Sequence, residues 1–287
     1  MKPILVTGVP RSGTTWAARL LAKSPGTALA GREPMNPRGR QYALGGTLHG
    51  WSRVTEFTPR QRFLLRAAYH GWNPMVYSRF GSRQWAGPLP STRLVVKDPY
   101  ALLSMPAVAR ATGATPVLVY RHPGAILTSY RRVDWRPRLD ELSLIAQEAR
   151  VRGGNVDLPE IPDSGDASSA EEMGAFWSVL HELALRDAAA CGALIVSHAE
   201  LASGGVSAAR RLAAILELTW SAAMGEEFGD KSTAVVADPA KLHNFDRSPA
   251  SVADEWRSKL ADDDVRAIER VGGDTLSKVE EARTRLL

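Results

Sequence analysis

Apolar residues gather in five short runs, at 3–7, 27–30, 93–97, 115–120 and 193–197, and each run is a predicted strand. Val117 to Tyr120 is apolar at every position, as in a strand buried on both faces of a parallel sheet. Helical stretches separate the runs, at 14–23, 104–112, 124–132, 170–190 and 207–217. Near the end, Leu260, Val265, Ile268 and Val271 fall on one face of a further helix. Alternation of this kind predicts one α/β domain over residues 1–287, with a central parallel sheet flanked by helices in three layers. Sites in such sheets lie at the carboxyl ends of the strands, and Arg11, Lys97 and Arg121 all fall at or just past such ends.

The first strand runs into Gly8-Val9-Pro10-Arg11-Ser12-Gly13-Thr14-Thr15-Trp16 and then into a helix. Small residues ahead of a helix start let backbone N–H groups converge on an anion, which predicts a phosphate-binding loop of P-loop type. Gly8 and Gly13 keep the G-x-x-x-x-G spacing, but Thr14 stands where a triphosphate-splitting loop has Lys, and the cation is Arg11.

The segment Pro10-Arg11-Ser12-Gly13-Thr14-Thr15-Trp16 resembles the loop of the sulfotransferases that use 3′-phosphoadenosine 5′-phosphosulfate (PAPS), where it holds the 5′-phosphate. A second segment, Tyr120-Arg121-His122-Pro123, with Ser129 eight residues after Arg121, is similar to that family's 3′-phosphate site. Arg suits such a site through paired charge-assisted hydrogen bonds, and Ser adds a neutral donor. By family position Arg247, in Phe245-Asp246-Arg247-Ser248, is a further phosphate ligand, although the loop 249–253 lacks the family's glycines. Trp256 reads as core packing rather than chemistry. The resemblance implies PAPS as donor and 3′-phosphoadenosine 5′-phosphate (PAP) as product. No metal is expected.

Sulfuryl transfer needs a base for the acceptor proton and positive charge on the transferring group. Glu33, in Gly31-Arg32-Glu33-Pro34, lies 22 residues past Arg11, in the region where carbohydrate sulfotransferases place a catalytic Glu. It is the candidate base; the alternative is a surface pair with Arg32 or Arg38. Lys97 is the candidate for the transferring group, and Arg11 supports the leaving phosphate. Asp98 reads either as structural or as a magnesium ligand on a Walker B strand. Residues 31–92 and 131–175 are the variable segments that set the acceptor, expected as helical insertions. Aromatics at Tyr42, Trp51, Phe57, Phe63, Tyr69, Trp72, Tyr77, Phe80 and Trp85 read mainly as core. The polar stretch 153–169 is either a lid or a surface connection.

The formal net charge of +5 suits an anionic ligand. The basic residues form no long run, so nucleic acid is not an expected partner. A lone Cys191 admits neither an internal disulfide nor a cysteine zinc site. The apolar runs are too short for a membrane span or a signal peptide, so a cytoplasmic protein complete from Met1 is expected. The acceptor is a small molecule, carbohydrate or lipid. Two other readings remain open: a small-molecule kinase using ATP and magnesium, and a non-catalytic nucleotide-binding module.

Overall fold

The computed structural model describes residues 1–37, 44, 46–72, 92–152, 158, 160–161, 167–229 and 249–287. Five strands form one parallel sheet: β1 (Ile4–Thr7), β2 (Thr27–Ala30), β3 (Arg93–Lys97), β4 (Thr115–Tyr120) and β5 (Leu194–Ser197), in the order β2-β3-β1-β4-β5. All five are strands anticipated from the apolar runs. Registers pair Val6 with Lys97, Thr7 with Leu118, and Tyr120 with Ser197. The segments starting at Gly8, Asp98, Arg121 and His198 therefore leave the sheet along one edge.

Alternate side chains of a strand point to opposite faces, and here each face has its own core. Leu5, Val96, Leu118 and Tyr120 pack into one; Ile4, Val6, Val95, Val117 and Val119 pack into the other. This double burial is why the strands read as continuous apolar runs. The second core is closed by α1 (Thr14–Leu21) and α8 (Gly205–Ile215), through Leu20, Leu21 and Leu212. The first is closed by α2 (Pro59–Tyr69), α3 (Met105–Thr112), α4 (Pro123–Arg132), α5 (Leu139–Arg152), α6 (Ser169–Cys191) and α11 (Asp262–Ala282). Shorter helices are α7 (His198–Ser203), α9 (Ala222–Gly225) and α10 (Pro249–Asp254).

The variable segments do contain helices. In α2, Thr58 and Gln61 form a reciprocal capping box with Pro59 at the first turn. Leu139, Leu142, Ile145 and Ala146 bury one face of α5. Two expectations need correction. Residues 249–253, expected as a loop, lie in helix α10, with Pro249 at its first position, where a missing N–H costs nothing. The aromatics of 41–92 divide. Trp51, Phe57 and Tyr69 are buried, but Phe63 and Trp72 are 65% and 58% exposed. Helix α2 buries Leu65, Ala68 and Tyr69 and turns Phe63 outward beside Arg60 and Arg66. Tyr42, Tyr77, Phe80, Trp85 and Arg247 lie outside the described residues, as does most of 153–166.

Candidate active site

The loop between β1 and α1 folds as a tight cradle of backbone ahead of the helix. The Ser12 N–H donates to the Val9 carbonyl at 3.0 Å, and the Ala17 N–H to the Gly13 carbonyl at 3.0 Å. Gly8, Arg11 and Gly13 have φ +152°, +75° and +96°, so the loop takes positive φ at three positions. At Gly8 a Cβ would lie 2.1 Å from the Val119 carbonyl oxygen, and at Gly13 one would lie 2.2 Å from His198 Cδ2. Both glycines are therefore required by close approach as well as by φ. The first N–H groups of α1, from Thr14 onward, have no partners within the helix, and the helix dipole adds positive potential there. The Ser12 hydroxyl is buried without a hydrogen-bond partner.

Beside this cradle opens a cavity of about 190 Å³. Arg11, Gly13, Thr14, Thr15 and Trp16 line it from the loop and α1, and Arg121, Ser129 and Arg132 from β4 and α4. Residues 118 apart meet here: Arg11 Nε donates to Ser129 Oγ at 2.8 Å. Ser129, assigned beside Arg121 from its spacing, thus bonds the loop cation. Burial, with Arg132 second, lowers the Arg11 guanidinium to about 10. Arg121 donates to the Val252 carbonyl at 2.6 Å, which ties β4 to α10. Its own carbonyl accepts from Trp177 Nε1 at 3.0 Å. Four cations, Arg11, Arg121, Arg132 and Lys259, line the cavity against one carboxylate, Glu255, which pairs with Lys259 at 2.6 Å. Such an arrangement favours an anion with several charges.

Nine of the lining residues were not anticipated as site residues, and His198 and Trp256 are the two aromatic ones among them. His198 leaves the end of β5, packs on Gly13 and meets the Trp16 ring edge-on at 5.5 Å. Burial, with Arg121 second, lowers its imidazole to about 3, so it is neutral, and its Nδ1 has no partner. Its signal in the sequence is its place just past an apolar run, shared with Arg121. Trp256, expected only to pack, is buried yet lines the cavity, stacked on His122 with ring centroids 4.1 Å apart.

Glu33 and Lys97 are not among the residues lining this cavity. They form an ion pair with each other, each side chain about one-fifth exposed; Arg38 lies outside the described residues. The second Glu33 oxygen accepts from Asn36 Nδ2. Asp98 is fully buried. Its Oδ2 accepts from the Met35 N–H at 2.6 Å and its Oδ1 from the Tyr100 N–H at 3.2 Å. Burial, with Glu33 second, pushes its carboxyl up to about 8. Both oxygens thus face backbone donors inside the protein. That geometry fits the structural alternative and does not suit a magnesium ligand, which needs an oxygen open to the ion. Among the described residues, no group of three or more His, Cys, Asp or Glu is placed to hold a metal.

A parallel sheet with a glycine-bounded loop that runs from the carboxyl end of β1 into α1 defines an α/β protein of P-loop type. Comparison with known proteins narrows this. The model of the sulfotransferase family matches residues 3–153, just over half of the chain, and the chain belongs to that family. The sulfotransferase domain from the curacin biosynthetic pathway superposes with a TM-score of 0.53 over 94% of this chain and 97% of that one, at 15% identity. It shares the fold. A sulfotransferase from Alicyclobacillus acidocaldarius aligns over 98% and 99% at 14% identity, with a TM-score of 0.42. No curated protein matches significantly. Sulfuryl transfer is the chemistry of the family, and no helix among the described residues is long and apolar enough to cross a membrane.

Proposed function

We propose that the chain transfers the sulfuryl group of PAPS to a hydroxyl of a small-molecule, carbohydrate or lipid acceptor. The observation that carries this reading is the meeting of Arg11, Ser129 and Arg121 beside the 8–13 loop in one cationic cavity. The residues fit the donor: four cations line the cavity, and beside it the Ser12 hydroxyl is buried with no hydrogen-bond partner. Pro10 through Trp16 would hold the 5′ side. Arg121 and Ser129 would hold the 3′-phosphate, with Arg247 by family position.

When bound, PAPS supplies an activated sulfuryl group and a phosphate leaving group. Arg11 and the N–H groups at the start of α1 stabilise negative charge on the leaving side. Glu33 takes the acceptor's hydroxyl proton on a carboxylate oxygen, and Lys97 Nζ offsets charge on the transferring oxygens. These roles fit a rigid anion–cation pair at the sheet edge, one strand from the loop. We assign the whole chain, 1–287, to one such domain acting in the cytoplasm.

Thermal denaturation with PAP, AMP and ATP–Mg²⁺ separates the readings. A ligand specific to the folded state stabilises it by about 2.7 kcal/mol at a hundred times its dissociation constant. PAP should stabilise strongly, and AMP and ATP–Mg²⁺ weakly. Labelled PAPS with a panel of sugars, glycolipids and phenols then identifies the acceptor, and turnover should persist in EDTA. Preference for ATP–Mg²⁺, or loss of turnover in EDTA restored by magnesium, would overturn the proposal in favour of a kinase.

A further inference from the structure

We infer that Asp98 is a positioning residue for Glu33, and that it fixes the candidate base by clamping the turn that carries it. The inference rests on reading Glu33 as the base. Residues 33–36 form a closed turn in which the Asn36 N–H donates to the Glu33 carbonyl at 3.2 Å. Pro34 occupies the second position of that turn, where its ring pre-sets φ. Met35, the third residue, has its side chain fully buried in the core. Its N–H points away from the turn, to Asp98 Oδ2 at 2.6 Å. Through Oδ1, the same carboxyl holds the Tyr100 N–H at 3.2 Å, and the Asp98 N–H itself bonds the Val6 carbonyl of β1 at 3.0 Å. Asp98 thereby joins three segments: the turn after β2, the helical turn after β3, and the strand that leads into the phosphate loop.

Glu33 depends on this junction. Its carboxylate is shared between Lys97 Nζ, adjacent to Asp98 in the chain, and Asn36 Nδ2, from the turn that Asp98 clamps. The groups that act on this cluster are Lys97, Glu33 itself and the Tyr69 phenol, whose hydroxyl is buried without a partner and feels the Asp98 charge. Without the clamp, the turn loses a tie to the segment that follows β3. A general base misplaced by about 1 Å costs on the order of a hundred-fold in rate, so rigid support of this kind matters for turnover.

Asp98→Asn tests the idea, because it keeps the side-chain volume but leaves one of the two N–H donors facing an amide nitrogen. Carboxyl ¹³C NMR of protein labelled at glutamate follows Glu33 directly, with the resonance assigned by its loss in Glu33→Gln. If Asp98 positions Glu33, freeing the turn moves the Glu33 carboxyl resonance at fixed pH and lowers kcat on the order of a hundred-fold, with the KM for the donor unchanged. PAP affinity should stay within two-fold of the parent, an order-of-magnitude bound for a distant, independent site. A Glu33 resonance that stays put, with kcat unchanged, overturns the inference. Exchange of the Met35 amide in the unmodified protein provides a second measurement, valid even if Asp98→Asn does not fold. Protection close to that of the β3 amides supports the clamp, and exchange as fast as an exposed loop amide refutes it. Turnover keeps this inference separate from the base assignment. Normal turnover in Glu33→Gln removes Glu33 as base. A large loss in Glu33→Gln with normal turnover in Asp98→Asn removes only the positioning role.

Discussion

Replacing Gly13 with Ala probes the junction between the phosphate loop and β5. A Cβ at this position would lie 2.2 Å from His198 Cδ2, 2.9 Å from Nε2 and 3.2 Å from Cγ. Carbon atoms pack at about 3.5–4.0 Å, so the overlap exceeds an ångström. The imidazole has little room to retreat, being 5% exposed and set edge-on against Trp16. Overpacking of this kind costs about 1–3 kcal/mol. The backbone adds about 1–2 kcal/mol, because φ +96° lies in the left-handed region. Ala also stiffens the unfolded chain, which offsets about 0.4–1 kcal/mol. Gly13→Ala should therefore destabilise the protein by about 2–4 kcal/mol in urea denaturation, and weaken PAP binding measured by calorimetry. Truncating the ring separates the two costs. In the Gly13→Ala/His198→Ala double variant the clash is gone and the φ strain remains. The two changes should couple favourably by about 1–3 kcal/mol, set by the overpacking alone. Additive effects, or a Gly13→Ala variant within about 0.5 kcal/mol of the parent, would refute the close contact between loop and His198.

Three further outcomes are expected. Arg121→Ala should bring PAP affinity close to that of AMP, since a desolvated charged contact is worth about 2–5 kcal/mol; a retained 3′-phosphate preference in calorimetry would dismiss Arg121 as its ligand. Glu33→Gln should lower turnover about 10²–10⁴-fold with PAP binding nearly unchanged, whereas near-normal turnover would shift the search for a base to His49 or His70. His181→Gln should flatten the acid side of the stability profile. Burial lowers the His181 imidazole to about 4, so its contribution to stability is present above its ordinary value of 6.5 and is lost as pH falls from there towards 4. Melting temperatures of parent and variant should therefore converge over that window, and parallel profiles would count against a buried neutral His181.

The amino-acid sequence alone determined the framework. Strands buried on both faces are mostly apolar along their length, so all five runs stood out without reference to any partner. The tight loop between β1 and α1 was equally legible, because Gly8 and Gly13 answer demands of φ and close approach. Helix α2 carried a readable start in Thr58-Pro59-Arg60-Gln61, but its apolar face is short and interrupted by Arg66, so periodicity did not disclose it. Other features were decided only by tertiary packing. Glu33 pairs with Lys97, 64 positions away, because parallel pairing of β2 with β3 brings the two strand ends together. Ser129 faces Arg11 because α4 returns across the edge of the sheet where β1 ends. Asp98 could have been an open metal ligand or a closed structural carboxyl, and a linear pattern cannot separate these. The fold separates them by placing the Met35 and Tyr100 N–H groups against its two oxygens and water out of reach. Local rules write themselves into neighbouring residues; pairings across the sheet edge depend on which strands lie side by side, and that is a property of the whole fold.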